Sequence, residues 1–118
     1  MKSEKIYDLG DRTFKFAKRV RQFVKCLPKT TINLEDSKQL VRSSGSVGAN
    51  YIEASEAVSK KDFLLRIKIS LKESKESRYW LNLLDIANED SLSKEQSVLI
   101  QEATELASIF GSIVRKLE

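Results

Sequence analysis

Apolar residues recur at helical spacing along almost the whole of this 118-residue chain, and very little interrupts them. The chain has one proline, Pro28, and four glycines. No segment alternates apolar and polar residues in the way a half-buried strand does. The pattern therefore predicts an all-α protein, and the length is that of one domain spanning residues 1–118.

The apolar stripes predict four helices, over Leu9–Leu27, Leu34–Val58, Lys60–Asn88 and Lys94–Leu117. A side chain suited to capping precedes each helix: Asp8, Asn33, Ser59 and Ser93. Pro28 ends the first helix because proline cannot continue one. Short connections between long helices predict an antiparallel, up-down-up-down four-helix bundle with long central helices.

Small residues crowd the middle of the second helix, from Ser43 to Gly48. Two glycines inside a helix cost about 1 kcal/mol each relative to alanine. Close approach of a neighbouring helix would compensate that cost. The alternative is a loop at Ser43–Gly48 that divides the segment into two helices.

Composition excludes several kinds of chemistry. Without histidine, the chain has no histidine-based triad or histidine metal site, and one cysteine forms no intrachain disulfide or cysteine-cluster zinc site. We therefore expect no enzyme activity, no metal and no cofactor. We find no signal peptide and no uninterrupted membrane-length apolar run, which favours a cytoplasmic protein with no membrane partner. Cys26 is expected to be a small buried hydrophobe.

The third helix has two apolar faces. One face is formed by Phe63, Ile67, Leu71, Ser74, Leu81 and Leu84, and the nearly opposite face by Leu65, Ile69, Trp80 and Leu83. A helix in a monomeric bundle needs only one apolar stripe. Either neighbouring helices flank this helix on two sides, or the second face, anchored by Trp80, is an interface between subunits.

Positive charge is concentrated in two segments. Residues 1–29 carry nine basic and three acidic residues, and residues 60–88 carry seven and four. The candidate phosphate contacts are Lys15, Lys18 and Lys25 on the first helix and Lys68, Lys72 and Lys75 on the third. Solvated surface lysines are the alternative. Apart from Tyr79, no aromatic residue interleaves with these lysines, which favours contacts to the backbone over base reading.

Four polar residues in the middle of the long helices are assigned to a structural network: Arg42, Asn50, Glu53 and Glu73. Buried charges must be paired, so such a network would set the register of the helices. A plain solvated face is one alternative. Acid–base catalysis by the carboxylates is another, but the chain offers no nucleophile with a base beside it.

Two motifs carry a family resemblance. The segment LVRSSGSVGANYIEASEA contributes Arg42, Ser46, Asn50, Ile52 and Glu53, and KDFLLRIKISLKESKESRYWL contributes Phe63, Ser70, Leu71, Glu73 and Glu76. With the opening Tyr7-Asp8-Leu9, these motifs resemble the bacterial four-helix-bundle family encoded in intervening sequences of large-subunit ribosomal RNA genes. Ala54 and Gly48 depart from it, standing where the family often has glycine and proline. The resemblance implies an antiparallel homopentamer without assigned enzyme activity, and a related branch forms basic pentameric barrels that bind nucleic acid and a reverse transcriptase.

Together these observations predict a non-enzymatic homo-oligomer that binds structured RNA or another nucleic acid through basic stripes on the first and third helices. The alternative is an adaptor or scaffold that binds a polymerase-type protein, such as a reverse transcriptase, through the third helix.

Overall fold

Four helices make up nearly all of the computed structural model, which describes residues 8–118. They are α1 (Leu9–Lys25), α2 (Thr31–Ser55), α3 (Lys60–Leu83) and α4 (Asp90–Leu117). No strand occurs within those residues. The prediction of an all-α four-helix bundle is therefore confirmed, while Tyr7, at the start of the family motif, lies outside the described residues.

Each helix packs against two others. Helices α1 and α3 each contact both α2 and α4, so α1 and α3 lie at diagonal corners of the bundle. Arg12 of α1 contacts Glu102 of α4, and Arg19, two turns later, contacts Glu95. Residue numbers thus rise along one helix as they fall along its neighbour. This is the order of contacts expected of antiparallel helices.

Two helices begin earlier than predicted. Helix α2 starts at Thr31 because the side chain of Thr30, rather than that of Asn33, accepts a hydrogen bond from the Asn33 amide (3.1 Å). Helix α4 starts at Asp90, and its N-cap residue Glu89 makes no side-chain capping bond. The assignments of Asn33 and Ser93 as caps were therefore wrong. The caps at Asp8 and Ser59 are confirmed by bonds from the backbone amides three residues later.

Helices also end earlier than predicted. Helix α2 ends at Ser55, and α3 ends at Leu83 because Leu84 is extended and Ala87 and Asn88 have positive φ angles of 55° and 61°. Residues in that left-handed region do not continue a right-handed helix. Helix α1 ends at Lys25. Cys26 is exposed rather than buried, because Phe23 and Leu27 occupy the core positions on either side of it.

The glycine-rich part of α2 is a continuous helix, so the alternative of a loop at Ser43–Gly48 is wrong. A Cβ atom on Gly48 would lie 3.0 Å from the hydroxyl oxygen of Thr13 on α1. Thr13 is buried and donates its hydroxyl hydrogen to the carbonyl of Leu9 (2.7 Å). The predicted close approach of a neighbouring helix is confirmed at this point.

Serine residues line the contact between α2 and α3. The hydroxyls of Ser43 and Ser77 are 2.9 Å apart, and Ser70 donates to the carbonyl of Val47 at 2.9 Å. All three serines are fully buried. Small side chains let the two backbones approach closely, and the hydrogen bonds satisfy hydroxyls that would otherwise be costly to bury.

Helix α4 supplies one long apolar stripe to the core. Its mean hydropathy reaches 1.2 over an 18-residue window, which by length and composition alone would also suit a membrane span, and 39% of that window is buried in the bundle. Leu99, Leu106 and Phe110 face the core. Burial of these residues in the core accounts for part of the apolar character of this helix.

A buried asparagine joins two of the loops. Asn33 is 1% exposed, and its side-chain amide donates to the carbonyls of Pro28 (3.1 Å) and Asp85 (2.8 Å). Its carbonyl oxygen accepts a hydrogen bond from the Asp85 amide (3.0 Å). The loop after α1 and the loop after α3 are thereby held together at the same end of the bundle.

Replacing Asn33 with alanine is expected to lower the free energy of unfolding by about 2 kcal/mol, because three hydrogen bonds to the partly buried backbone groups of Pro28 and Asp85 are lost. Urea denaturation measures the change. Asn82→Ala is the control, since Asn82 is exposed and bonds only to Arg78 in its own helix; it should change stability by less than about 0.5 kcal/mol. Equal effects of the two substitutions would contradict this role for Asn33.

Candidate nucleic-acid interface

The three predicted lysines of α1 are all exposed, because the apolar stripe through Phe16 and Val20 faces the core. Lys15 forms an ion pair with Asp11 one turn earlier (2.8 Å). Lys18 and Lys25 form no ion pair with residues 8–118. Two of the three positive charges therefore face solvent without a neutralising carboxylate among the described residues.

The three predicted lysines of α3 are also exposed, at the diagonal corner of the bundle. Lys68 pairs with the side chain of Glu118 (2.7 Å). Lys72 and Lys75 have no ion pair within the described part of the chain. The two basic stripes are thus separate surfaces in a single copy of the protein.

Arginine residues on the flank of α1 are used differently. Arg12 bridges Glu102 (2.7 Å) and Glu105 (2.6 Å), and Arg19 contacts Glu95 (2.5 Å). The hydrogen bond to Glu102 raises the pKa of Arg12, with Glu105 acting in the same direction. These arginines join α1 to α4, and their charge is balanced by carboxylates within the molecule.

The second apolar face of α3 remains partly uncovered. Leu65 and Leu83 are 54% and 47% exposed, and Ile69 and Trp80 are half-buried. Helices α2 and α4 cover the other face, where Ile67 and Leu81 are fully buried. Packing against the core therefore covers part of Trp80 but leaves Leu65 and Leu83 exposed to solvent.

Two side-chain contacts hold Trp80 in place on this surface. Its indole nitrogen donates to a carboxylate oxygen of Glu76 (2.9 Å), and Tyr79 meets the indole ring edge-on at 5.1 Å. Glu76 is also bound by Arg42 of α2. These contacts consequently fix the orientation of the Trp80 side chain on this surface.

The four residues assigned to one polar network lie in separate places. Arg42 contacts Glu73 (3.4 Å) as well as Glu76, and one oxygen of Glu73 is buried without a hydrogen bond to the described residues. Asn50 instead bonds to Ser46 and Arg66.

Glu53 belongs to neither group. It is exposed on α2 and forms no side-chain hydrogen bond or ion pair within residues 8–118. Among those residues, no group of three His, Cys, Asp or Glu side chains is placed to hold a metal ion.

Sequence reasoning missed an aromatic residue beside the basic stripe of α1. Phe14 is 62% exposed, and the Lys18 ammonium lies 5.9 Å from the centre of its ring. The expectation that only Tyr79 accompanies the lysines is therefore wrong. The four-residue spacing of Phe14 and Lys18, which places side chains together on a helix, was the available signal.

Comparison with known families places this bundle among its relatives. The sequence profile described as 23S rRNA-intervening sequence protein matches residues 6–112. The chain belongs to the 23S rRNA-intervening sequence protein family. The family that the resemblance indicated is thus confirmed, and its four-helix fold is the one that the structure shows.

A solved structure agrees with this assignment. It is a protein of unknown function from the S23 ribosomal protein family of Bacteroides thetaiotaomicron VPI-5482. The match has a TM-score of 0.77 and 35% sequence identity, and it covers 89% of this chain and 96% of the other. A comparison with curated proteins returned no match.

Acid is expected to destabilise this family member partly through Glu76. The hydrogen bond from Trp80, together with Arg42, holds the pKa of Glu76 below its ordinary value. A carboxylate whose pKa is lower in the folded state stabilises the fold above its unfolded-state pKa, and the contribution disappears as the pH falls through the folded-state value. Glu76→Gln should therefore lower the midpoint of urea unfolding at pH 7 and make its decline below about pH 4.5 shallower.

Glu53→Gln is the matched control for this prediction, because Glu53 is an exposed glutamate without such contacts. It should leave both the midpoint and its pH dependence unchanged. An unaltered acid response in Glu76→Gln would contradict the assignment.

Proposed function

We propose that this protein is a non-enzymatic, homo-oligomeric bundle that binds structured RNA through its exposed lysines. The observation that carries the proposal is the sorting of positive charge. The arginines of α1 bind carboxylates or backbone carbonyls within the molecule, whereas Lys18, Lys25, Lys72 and Lys75 face solvent without an ion pair to residues 8–118. Unneutralised cations along a helix favour phosphate backbones, whose binding releases counterions.

The α1 stripe is the better candidate for the RNA surface. By the helical period, Lys72 lies about 20° from the line through Leu65 and Leu83, so an interface on that apolar face would enclose or border it. Lys68 is already paired with Glu118. The α1 lysines lie at the diagonal corner, away from that face. RNA binding by α1 and assembly through α3 are therefore compatible.

The double substitution Lys18→Glu/Lys25→Glu is expected to weaken RNA binding at least tenfold, because on the order of one or two phosphate contacts are lost. The slope of log K against the logarithm of the salt concentration should decrease in magnitude by about two. Fluorescence anisotropy with a labelled RNA hairpin, titrated at several salt concentrations, measures both quantities. The control is Lys38→Glu/Lys94→Glu, which makes the same change in net charge at exposed sites on α2 and α4. If the two double variants lose affinity equally, binding follows net charge and not the α1 stripe.

We assign the assembly of subunits to the stripe Leu65, Ile69, Trp80 and Leu83. Exposed apolar side chains around an oriented aromatic residue are typical of interface centres. A homopentamer is the assembly that the family resemblance implied. Repeating the α1 stripe around a ring would raise the local positive potential and strengthen RNA binding.

Trp80→Ala is expected to reduce the mass of the particle measured by light scattering to that of smaller species, because the central anchor is lost. Leu34→Ala is the control: Leu34 is 50% exposed on α2 and lies off the stripe, so its mass should equal that of the wild type. A wild-type protein that is monomeric at every concentration would overturn the assembly proposal.

The adaptor function is the second candidate, and the oriented Trp80 favours it if the protein is a monomer. A polymerase-type protein such as a reverse transcriptase would then bind the same stripe. That binding should tolerate high salt and be lost in Trp80→Ala, whereas RNA binding should fall steeply with salt and survive this substitution in the monomer.

A further inference from the structure

A groove runs along the outer surface between α1 and α2. It has a volume of about 330 Å³ and is flanked by two exposed apolar side chains, Phe14 (62% exposed) and Ile52 (60%). Gly45 and Gly48 of α2 also line it. The volume is at the lower end of the about 300–1,000 Å³ typical of small-ligand sites.

The polar lining of this groove is positive. Lys18 and Arg21 line it together with the apolar residues, and no carboxylate does. Arg21 lies across the two helices, donating to the carbonyls of Ala17 (3.0 Å) and Val41 (3.4 Å). Neither cation forms an ion pair with residues 8–118.

The larger groove between α1 and α4 differs in this respect. Its volume is about 560 Å³, but Arg12 is bound to Glu102 and Glu105, which line the same space, and Arg19 is paired with Glu95. Carboxylates at the mouth disfavour an anionic ligand. Of the two grooves, only the one between α1 and α2 combines an exposed aromatic ring with unneutralised cations.

We propose that the groove between α1 and α2 binds one unpaired nucleotide of an RNA. The base packs on Phe14 and against Ile52, and Lys18 and Arg21 hold the adjoining phosphates. Stacking of a base on an aromatic side chain is tolerant of sequence, and nearby cations supply the phosphate contacts. This inference rests on the proposed RNA-binding function and assigns an unpaired nucleotide as the feature that the α1 surface recognises.

Charge also argues against a second copy of the chain as the occupant. The apolar stripe of α3 is the surface that another copy would present, and it is bordered by Lys72, which has no ion pair to residues 8–118. Bringing Lys72 to Lys18 and Arg21 would place like charges together, which is costly. A polyanion with a flat apolar base matches both features of the groove.

The test compares two RNA hairpins that differ only in one bulged 2-aminopurine nucleotide. We expect the wild-type protein to bind the bulged hairpin more tightly and to change the 2-aminopurine fluorescence at saturation. Phe14→Ala should lower affinity for the bulged hairpin by about tenfold, leave affinity for the paired hairpin unchanged, and leave the salt dependence unaltered, since no phosphate contact is lost. Phe14→Tyr should restore binding.

Ala49→Leu provides a second variant that fills the groove from an exposed position while keeping Phe14 and both cations. It should abolish the preference for the bulge. The control Val58→Ala changes a side chain that is 93% exposed and outside the groove, and should retain that preference.

Three outcomes would overturn the inference. Equal binding of the two hairpins, with no effect of Phe14→Ala, would refute the nucleotide site and leave RNA binding by the lysines intact. No binding of either hairpin would refute both. A lower particle mass for Phe14→Ala without RNA would show that a second copy of the chain occupies the groove.

Discussion

The close contact between α2 and α3 supports the other features of the bundle. Fully buried serines on both helices, with Ser43 and Ser77 2.9 Å apart, allow the backbones to approach and leave no hydroxyl unsatisfied at the contact. Arg42 and Glu76 meet at the edge of this contact, and their pairing orients Trp80. The orientation of Trp80 in the apolar stripe of α3 therefore depends on how α2 packs against α3.

The arginines of α1 bind acceptors within the molecule, whereas Lys18 and Lys25 on the same helix have no ion pair to residues 8–118. Guanidinium groups bind two acceptors at once and suit the joints between helices, as Arg12 does with Glu102 and Glu105. Ammonium groups on long stems stay hydrated and remain outside. The net charge of +4 is therefore unevenly exposed, because carboxylates of α4 balance Arg12 and Arg19, while Lys18 and Lys25 keep their charges without an ion pair to residues 8–118.

The interiors of the helices were predictable because apolar periodicity reports burial directly. The helix ends were less so. Asn33 has the chemistry of a cap, but its side chain bonds to Asp85, 52 positions away, and Thr30 caps the helix instead. A choice between two capping residues depends on contacts that a single segment does not contain.

The candidate site also has features that the sequence predicted and features that depend on contacts between helices. Exposure of the lysines followed from the helical wheel, whereas the groove beside Phe14 depends on how α1 meets α2. The exposure of Leu65 and Leu83 likewise follows from where α2 and α4 pack on α3. The pairing of Lys15 and Lys68 with carboxylates likewise becomes visible only with side chains in place.

The hydrogen bonds that Asn33 makes to Pro28 and Asp85, which we call the clasp, make the two ends of the bundle different. At one end, a buried side chain joins the loop after α1 to the loop after α3, and Gln96 adds bonds to the carbonyls of Leu81 and Leu84. At the other end, the turn between α2 and α3 carries the highly exposed Val58. Thermal opening of the helices should begin at that turn and proceed toward the clasp, so backbone amides near residues 56–59 would exchange with solvent long before those beside Asn33.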